Sequence, residues 1–183
     1  MRIIAGALRG RTLKTLAGEA TRPTSALVRG AIANLLGPRI AGARVLDLYA
    51  GSGAIAFELL SRGAARATLV EQAPEALRII EANRAALGLS EQTILVRGEV
   101  SAQLSRLTGP FDVVVADPPY RTADWEALLA AIAPLLAPEG VALFEHTRGE
   151  SLPTEGAGWL LARTYAYGAT LVARYERPAP PGS

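Results

Sequence analysis

The chain has 183 residues, 50% of them hydrophobic and 20% charged, which suits one globular domain with a small appendage and argues against a fibre or a disordered acidic tail. Zero cysteines and a single histidine, His146, exclude disulfides, thiolate metal sites and cysteine nucleophiles and weigh against a serine triad, so no metal is expected. The net charge of +2 hides a division: residues 1–44 carry eight basic side chains against Glu19 alone, and the remainder is acidic by five charges.

The basic segment begins with two strand-like stretches, Arg2–Ala5 and Arg11–Leu16, around a glycine-containing turn at Gly6–Gly10, which reads as a small hairpin. A helix follows over Ser25–Leu36, capped by Thr24 or Ser25. A basic extension on an acidic body is the footprint of a phosphate-backbone partner, or else a solvated basic face. The residues proposed for that backbone are Arg9, Arg11, Arg22 and Arg29, with Arg121 further on.

From residue 44 the pattern alternates. Arg44–Tyr49 reads as a buried strand, Ala50–Gly53 as a turn, and the stretch to Arg62 as a helix. Ala67–Glu71 is a second strand, and a helix enters at Pro74 and ends at Gly88. Thr93–Val96, Phe111–Ala116 and Val141–Glu145 are three more strands, separated by helices over Ser101–Leu107 and Trp125–Leu136. Trp159–Tyr167 and Ala169–Glu176 leave no room for a helix between them and should pair as an antiparallel edge hairpin. Together these predict an α/β, mostly parallel, seven-stranded sheet. The division is a basic extension (1–43), a catalytic domain (44–177) and a flexible Pro-rich tail (178–183). No uncharged apolar run approaches the roughly 18–20 residues that span a bilayer, which predicts a cytoplasmic protein without a membrane partner. Trp125 and Trp159 fall in apolar patterns and read as core. His146, at a strand end, reads as structural or solvated.

Two constellations carry chemistry. Asp47-Leu48-Tyr49-Ala50-Gly51-Ser52-Gly53 sits where the first strand turns into a helix, and its glycines permit close backbone approach to a ligand. Glu71, with Gln72 beside it, ends the second strand, where a carboxylate can accept both ribose hydroxyls of a nucleoside. That geometry fits a dinucleotide as well as S-adenosylmethionine. Asp47 discriminates between them, because a carboxylate there repels a pyrophosphate and suits an amino acid's ammonium. The second constellation, Asp117-Pro118-Pro119-Tyr120, lies at the carboxyl end of the fourth strand. An exocyclic amine conjugated with its ring is a poor nucleophile. The Asp117 carboxylate and Pro118 carbonyl can hold its N–H groups, the prolines stiffen the loop, and Tyr120 offers a face for the base.

The D-x-x-A-G-S-G and D-P-P-Y pair resembles Rossmann-like class I amino-methyltransferases. The start Met1-Arg-Ile-Ile-Ala-Gly-Ala-Leu-Arg-Gly-Arg11, followed by Arg22-Pro23-Thr24 and Val28-Arg29, is similar to the RsmD family of bacterial small-subunit ribosomal RNA guanine-N2 methyltransferases. The resemblance runs from Arg2 to about Arg177. It implies S-adenosylmethionine as cofactor and the N2 amine of a guanine in 16S rRNA, position 966 in customary numbering, as target. It also implies the 30S subunit or an assembly intermediate as partner, and a monomer. Gly98 and Glu99, after the third strand, correspond to the place where that family meets the adenine amine. Ala26, Leu27 and Gly30 depart from the family's helix. Two other readings remain open: an amino-methyltransferase acting on DNA or another RNA (adenine N6), and a non-catalytic RNA-binding module.

Overall fold

The computed structural model describes residues 1–16, 23–119 and 124–178. Helix α1 (Pro23–Leu36) is followed by β1 (Arg44–Leu48), α2 (Ala54–Ser61), β2 (Arg66–Glu71), α3 (Pro74–Leu87), β3 (Thr93–Arg97), α4 (Val100–Leu104) and β4 (Phe111–Ala116). The chain continues through α5 (Trp125–Ile132), β5 (Leu136–Thr147), β6 (Glu155–Gly156), β7 (Trp159–Tyr167) and β8 (Thr170–Glu176). One sheet results, in the order β3-β2-β1-β4-β5-β8-β7-β6. Strands β1 to β5 are mutually parallel, and β8 pairs antiparallel with both β5 and β7.

The predicted mostly parallel sheet and its terminal hairpin are present, but the described sheet has eight strands where seven are predicted. The addition is β6, whose Gly156 pairs with Trp159. Two residues are too short for any alternation to show in the sequence. Strand β5 also starts five residues before the expected Val141: the chain through Pro138–Gly140 stays extended beside β4, and the register shifts between Phe111 and Val113. Helix α1 starts at Pro23, so Thr24 and Ser25 lie inside its first turn. Helix α4 covers Val100–Leu104, not Ser101–Leu107. Of the Pro-rich tail, residues 179–183 lie outside the described residues.

Local chemistry explains the element ends that position the site. Pro74 opens α3, and Gly88 at φ 73° closes it in a Schellman arrangement, with Leu89 N–H donating to the Arg84 carbonyl at 2.8 Å and Gly88 N–H to Ala85 at 3.2 Å. At α5 the Asp124 carboxylate caps the helix by accepting from Ala127 N–H at 3.0 Å. The central strands are buried on both faces, which is why they read as near-continuous apolar runs. On one face Val45, Leu69, Val113 and Val115 pack with Ile32, Phe57 and Ile80. On the other, Leu46, Leu48 and Val114 pack with Leu104, Leu129 and both Trp125 and Trp159.

The N-terminal hairpin reduces to a single antiparallel bridge, Arg2 to Thr12, with Ile3 and Leu13 buried in the same core as Val45 and Phe57. This segment lies directly on α2. A Cβ at Gly6 would sit 1.9 Å from the Ser61 carbonyl oxygen, so only glycine permits the approach that lets Ala7 N–H donate to that oxygen at 2.7 Å.

Candidate active site

Side chains two apart on a strand share a face. Asp47 on β1, Glu71 at the end of β2 and Asp117 just beyond β4 therefore all project to the side that carries Val45, Leu69 and Val115. Because Asp47 registers with Leu69 on one neighbour and Val115 on the other, three acidic side chains gather at the carboxyl edge of the sheet, where α/β folds place their sites. The Asp47 carboxylate is buried beneath the α2 entrance and accepts one of its free N–H groups, from Ala56, at 3.1 Å. Burial pushes the Asp47 carboxyl up to about 8; the Ala56 N–H opposes this, and the neighbouring charges of Asp117 and Glu71 add to it.

A cavity of about 360 Å³ opens at this edge, lined by Tyr49, Glu71, Gln72, Gly98, Asp117, Pro118 and Pro119 together with Ala73 and Val100. Seven of these nine are residues the sequence singled out. Ala73 and Val100 carry no polar signal, and only their adjacency to Gln72 and Glu99 marks them. Asp47, Ala50, Gly51, Ser52, Gly53 and Glu99 are not on the lining. The glycine turn is held from behind: Gly53 N–H donates to the Ala50 carbonyl at 2.8 Å, and Gly53 adopts φ 77° where a Cβ would meet Phe57 Cε2 at 2.6 Å. Tyr49 itself takes the left-handed conformation at φ 59°, a placement that costs energy and is tolerated where surrounding structure imposes it. Its hydroxyl pKa is raised by burial and, secondarily, by the Glu99 charge. The Ser52 hydroxyl is buried without a hydrogen-bond partner.

Glu71 already has work in the protein. Its Oε2 accepts from Gly51 N–H at 2.8 Å, and its Oε1 accepts from Gln72 and Ala73 N–H at 2.8 Å each. One carboxylate thereby ties the glycine turn to the start of α3, and ribose hydroxyls would share or displace these donors.

The sequence pattern of a family described as conserved hypothetical protein 95 matches residues 1–176. The chain is 34% identical over 181 residues to ribosomal RNA small subunit methyltransferase D of Escherichia coli K12, covering 98% of this chain and 91% of that protein. It is 36% identical over 183 residues to YlbH of Bacillus subtilis, covering 97% and 99%. The solved structure of YhhF from Escherichia coli superposes with a TM-score of 0.83 at 33% identity, covering 98% and 99%. The chain belongs to the RsmD family.

Within this RsmD-family chain the residues proposed for RNA divide. Arg9 and Arg11 are exposed on the N-terminal segment, although Arg11 Nη2 donates to the Ala86 carbonyl at the end of α3 at 2.6 Å. Arg29 is a correction. It is buried at 3% exposure, donates through Nη2 to the Arg2 carbonyl at 2.8 Å, and lies 3.6 Å from the Glu58 carboxylate, so it fastens α1 to the N-terminal segment and offers nothing to a phosphate. Tyr120, Arg22 and Arg121 lie outside the described residues. His146 is a buried residue within β5, edge-on to Trp125 at 6.3 Å; burial holds its pKa down against the Thr147 carbonyl and the Glu150 charge. No described helix is long and apolar enough to cross a membrane.

Proposed function

We propose that this chain transfers a methyl group from S-adenosylmethionine to the N2 amine of a guanine in 16S rRNA. The observation that carries the reading is the cavity itself, with Asp117-Pro118-Pro119 on one wall, Glu71 on another and the buried Asp47 carboxyl behind the lining, close enough to feel both of their charges. The residues present fit the cofactor. No basic side chain stands among the described lining residues, and an acid cluster suits a ligand bearing both a sulfonium and an ammonium. Its relative, methyltransferase D of Escherichia coli, is named for small-subunit ribosomal RNA, which supports an rRNA substrate for this chain.

When bound, the cofactor supplies an electrophilic methyl group on a cationic sulfur. The chain's own task is positioning. The Asp117 carboxylate and the Pro118 carbonyl accept the two N–H groups of the target amine, which turns its lone pair toward the methyl carbon. Methyl transfer would leave the amine cationic, and Asp117 would stabilise that charge and take the proton. Pro119 keeps the loop stiff. Glu71 holds the glycine turn that the cofactor must approach.

The test follows labelled methyl from S-adenosylmethionine into 30S particles, naked rRNA and duplex DNA, with nucleoside analysis of the product. N2-methylguanosine from the ribosomal substrates is expected. Label in adenine of DNA would install the other amino-methyltransferase reading, and cofactor binding without transfer to any substrate would favour a non-catalytic module. Asp117→Ala should lower transfer by roughly 10²–10⁴-fold while cofactor affinity stays near that of the parent; a variant that still methylates at the parental rate removes Asp117 from the mechanism.

A further inference from the structure

The mechanism leaves one buried amide without a role. Asn83, on α3, is only 2% exposed. Its Oδ1 accepts from Lys14 N–H at 2.8 Å, and its Nδ2 donates to the Lys14 carbonyl at 3.0 Å and to the Ser52 carbonyl at 3.0 Å. Both amide hydrogens and the oxygen are therefore engaged. Flipping the group would set its NH₂ against Lys14 N–H and its oxygen against two carbonyls, so the network allows one orientation only. A buried polar group satisfied in this way is costly to disturb in part, since breaking one hydrogen bond strands the others.

What Asn83 joins is specific. Lys14 belongs to the basic N-terminal segment, the part of the chain that carries Arg9 and Arg11 to the surface. Ser52 belongs to the glycine turn, which stands behind the cavity lining and is tied to it where Gly51 N–H donates to the Glu71 carboxylate. A second route joins the same two parts: Ile4 and Ala5 N–H donate to the Glu58 carboxylate, and Leu8 N–H donates to the Ser61 hydroxyl at 3.0 Å. Glu58 and Ser61 lie on α2, whose first residues follow the glycine turn. A displacement of the N-terminal segment thus reaches the turn directly through one amide and indirectly along one helix.

We propose that Asn83 is a positioning residue that couples RNA engagement by the basic N-terminal segment to cofactor binding at the glycine turn. This rests on the reading of the cavity as an S-adenosylmethionine site and on the N-terminal segment as the RNA-facing element. RNA gripped by the N-terminal segment fixes Lys14 against α3, Asn83 in turn holds the Ser52 carbonyl, and the turn is presented to the cofactor already arranged. By linkage the effect is reciprocal: bound cofactor strengthens the grip on RNA by the same factor.

The test uses the full chain, tritiated S-adenosylhomocysteine and 30S particles. Equilibrium dialysis in the parent should show nucleoside affinity raised about 5- to 150-fold by saturating 30S. In Asn83→Asp, which keeps the bond from Lys14 N–H but loses both donated bonds, that ratio should fall toward one. A merely structural Asn83 would weaken binding by the same factor with and without particles, leaving the ratio unchanged. Hydrogen exchange supplies an arm that needs no RNA: the nucleoside should protect the amides of residues 12–16 in the parent, and this protection should disappear in the variant. Should the variant not fold, the parental ratio and protection still test the coupling itself, which a ratio of one without protection excludes. Nucleoside binding with a parental ratio of one and no protection of residues 12–16 overturns the coupling while leaving the cofactor reading intact. Absence of nucleoside binding overturns the cofactor reading instead.

Discussion

Two buried acids lie on the same face of this sheet and differ in every other respect. Glu58, fully buried on α2, receives Ile4 N–H at 2.8 Å and Ala5 N–H at 3.1 Å, pairs with Arg62 at 2.9 Å and has the Arg29 guanidinium at 3.6 Å. Asp47, 3% exposed on β1, receives one backbone N–H and faces two further acids. Donors and cations surround the first, which therefore acts as a staple between the N-terminal segment, α1 and α2. The second has one backbone donor and two acidic neighbours, an arrangement that suits a positively charged group in the proposed cofactor. A buried acid in one region serves assembly and in the other holds a proton, and the number of donors separates the two.

The largest effect is expected from breaking the staple. Glu58→Gln preserves shape but leaves Arg29 buried without its carboxylate, a change that typically costs about 3–5 kcal/mol. For a chain of this size that corresponds to a melting temperature lower by roughly 6–20 °C. Calorimetric melting of the variant decides it, and an unchanged midpoint would show that the bonds and ion pairs made by Glu58 contribute little net stability.

Asp47 should respond in the opposite sense. Folding raises its pKa from 3.8 to about 8, so the folded chain keeps a proton that the unfolded chain releases. The stability tied to that proton is complete at low pH and is lost as pH rises through about 8. Asp47→Asn removes the titration, and the ligand-free variant should melt at a temperature less dependent on pH between 5 and 8 than the parent. An ammonium group placed near Asp47 favours the carboxylate over the acid, so parental affinity for S-adenosylhomocysteine, which keeps that ammonium, should strengthen from pH 6 to 8 with release of a proton, while the variant binds more weakly and without that slope. Calorimetry in buffers of different ionisation enthalpy counts the proton. Identical pH profiles in the two proteins would show that Asp47 is ionised before the ligand arrives.

The comparison also explains which parts of the molecule are legible in the sequence. Strands β1, β2 and β4 announce themselves as apolar runs because they are buried on both faces, and Pro74 with Gly88 brackets α3 by backbone chemistry alone. Asp47, Glu71 and Asp117 each stand at a strand end or within one residue of it, next to a turn, so their gathering follows from strand order. The staple does not follow from any local pattern. Arg29 and Glu58 stand 29 positions apart, and an arginine in a basic N-terminal segment has the same appearance whether it meets a phosphate or a buried carboxylate. One signal is present: Glu58 and Asn83 are polar residues set among apolar neighbours on amphipathic helices, positions at which a polar side chain requires a buried partner. Strand β6 has no such signal, since its two residues are defined only by their pairing with Trp159 and Leu160 of β7.

The smallest effect concerns the exposed arginines of the region that the staple holds down. Arg9 extends from the turn of the N-terminal segment, whereas Arg11 is partly committed to the Ala86 carbonyl through a 2.6 Å hydrogen bond. If both face rRNA phosphates, each contributes to the release of counterions, and removing one such arginine lowers the slope of log affinity against log salt by about 0.7–1. Arg9→Ala should therefore weaken binding to 30S particles and flatten the salt dependence by close to one phosphate's worth. Arg11→Ala should do less, because its guanidinium must leave α3 before it can meet RNA in full. Neither change touches the cavity, so S-adenosylhomocysteine affinity measured without RNA should match the parent in both. Filter binding across a salt series measures the slopes directly. Equal slopes in the parent and both variants would mean that these two arginines are solvated side chains, and would move the RNA-binding role of the N-terminal segment to other basic residues.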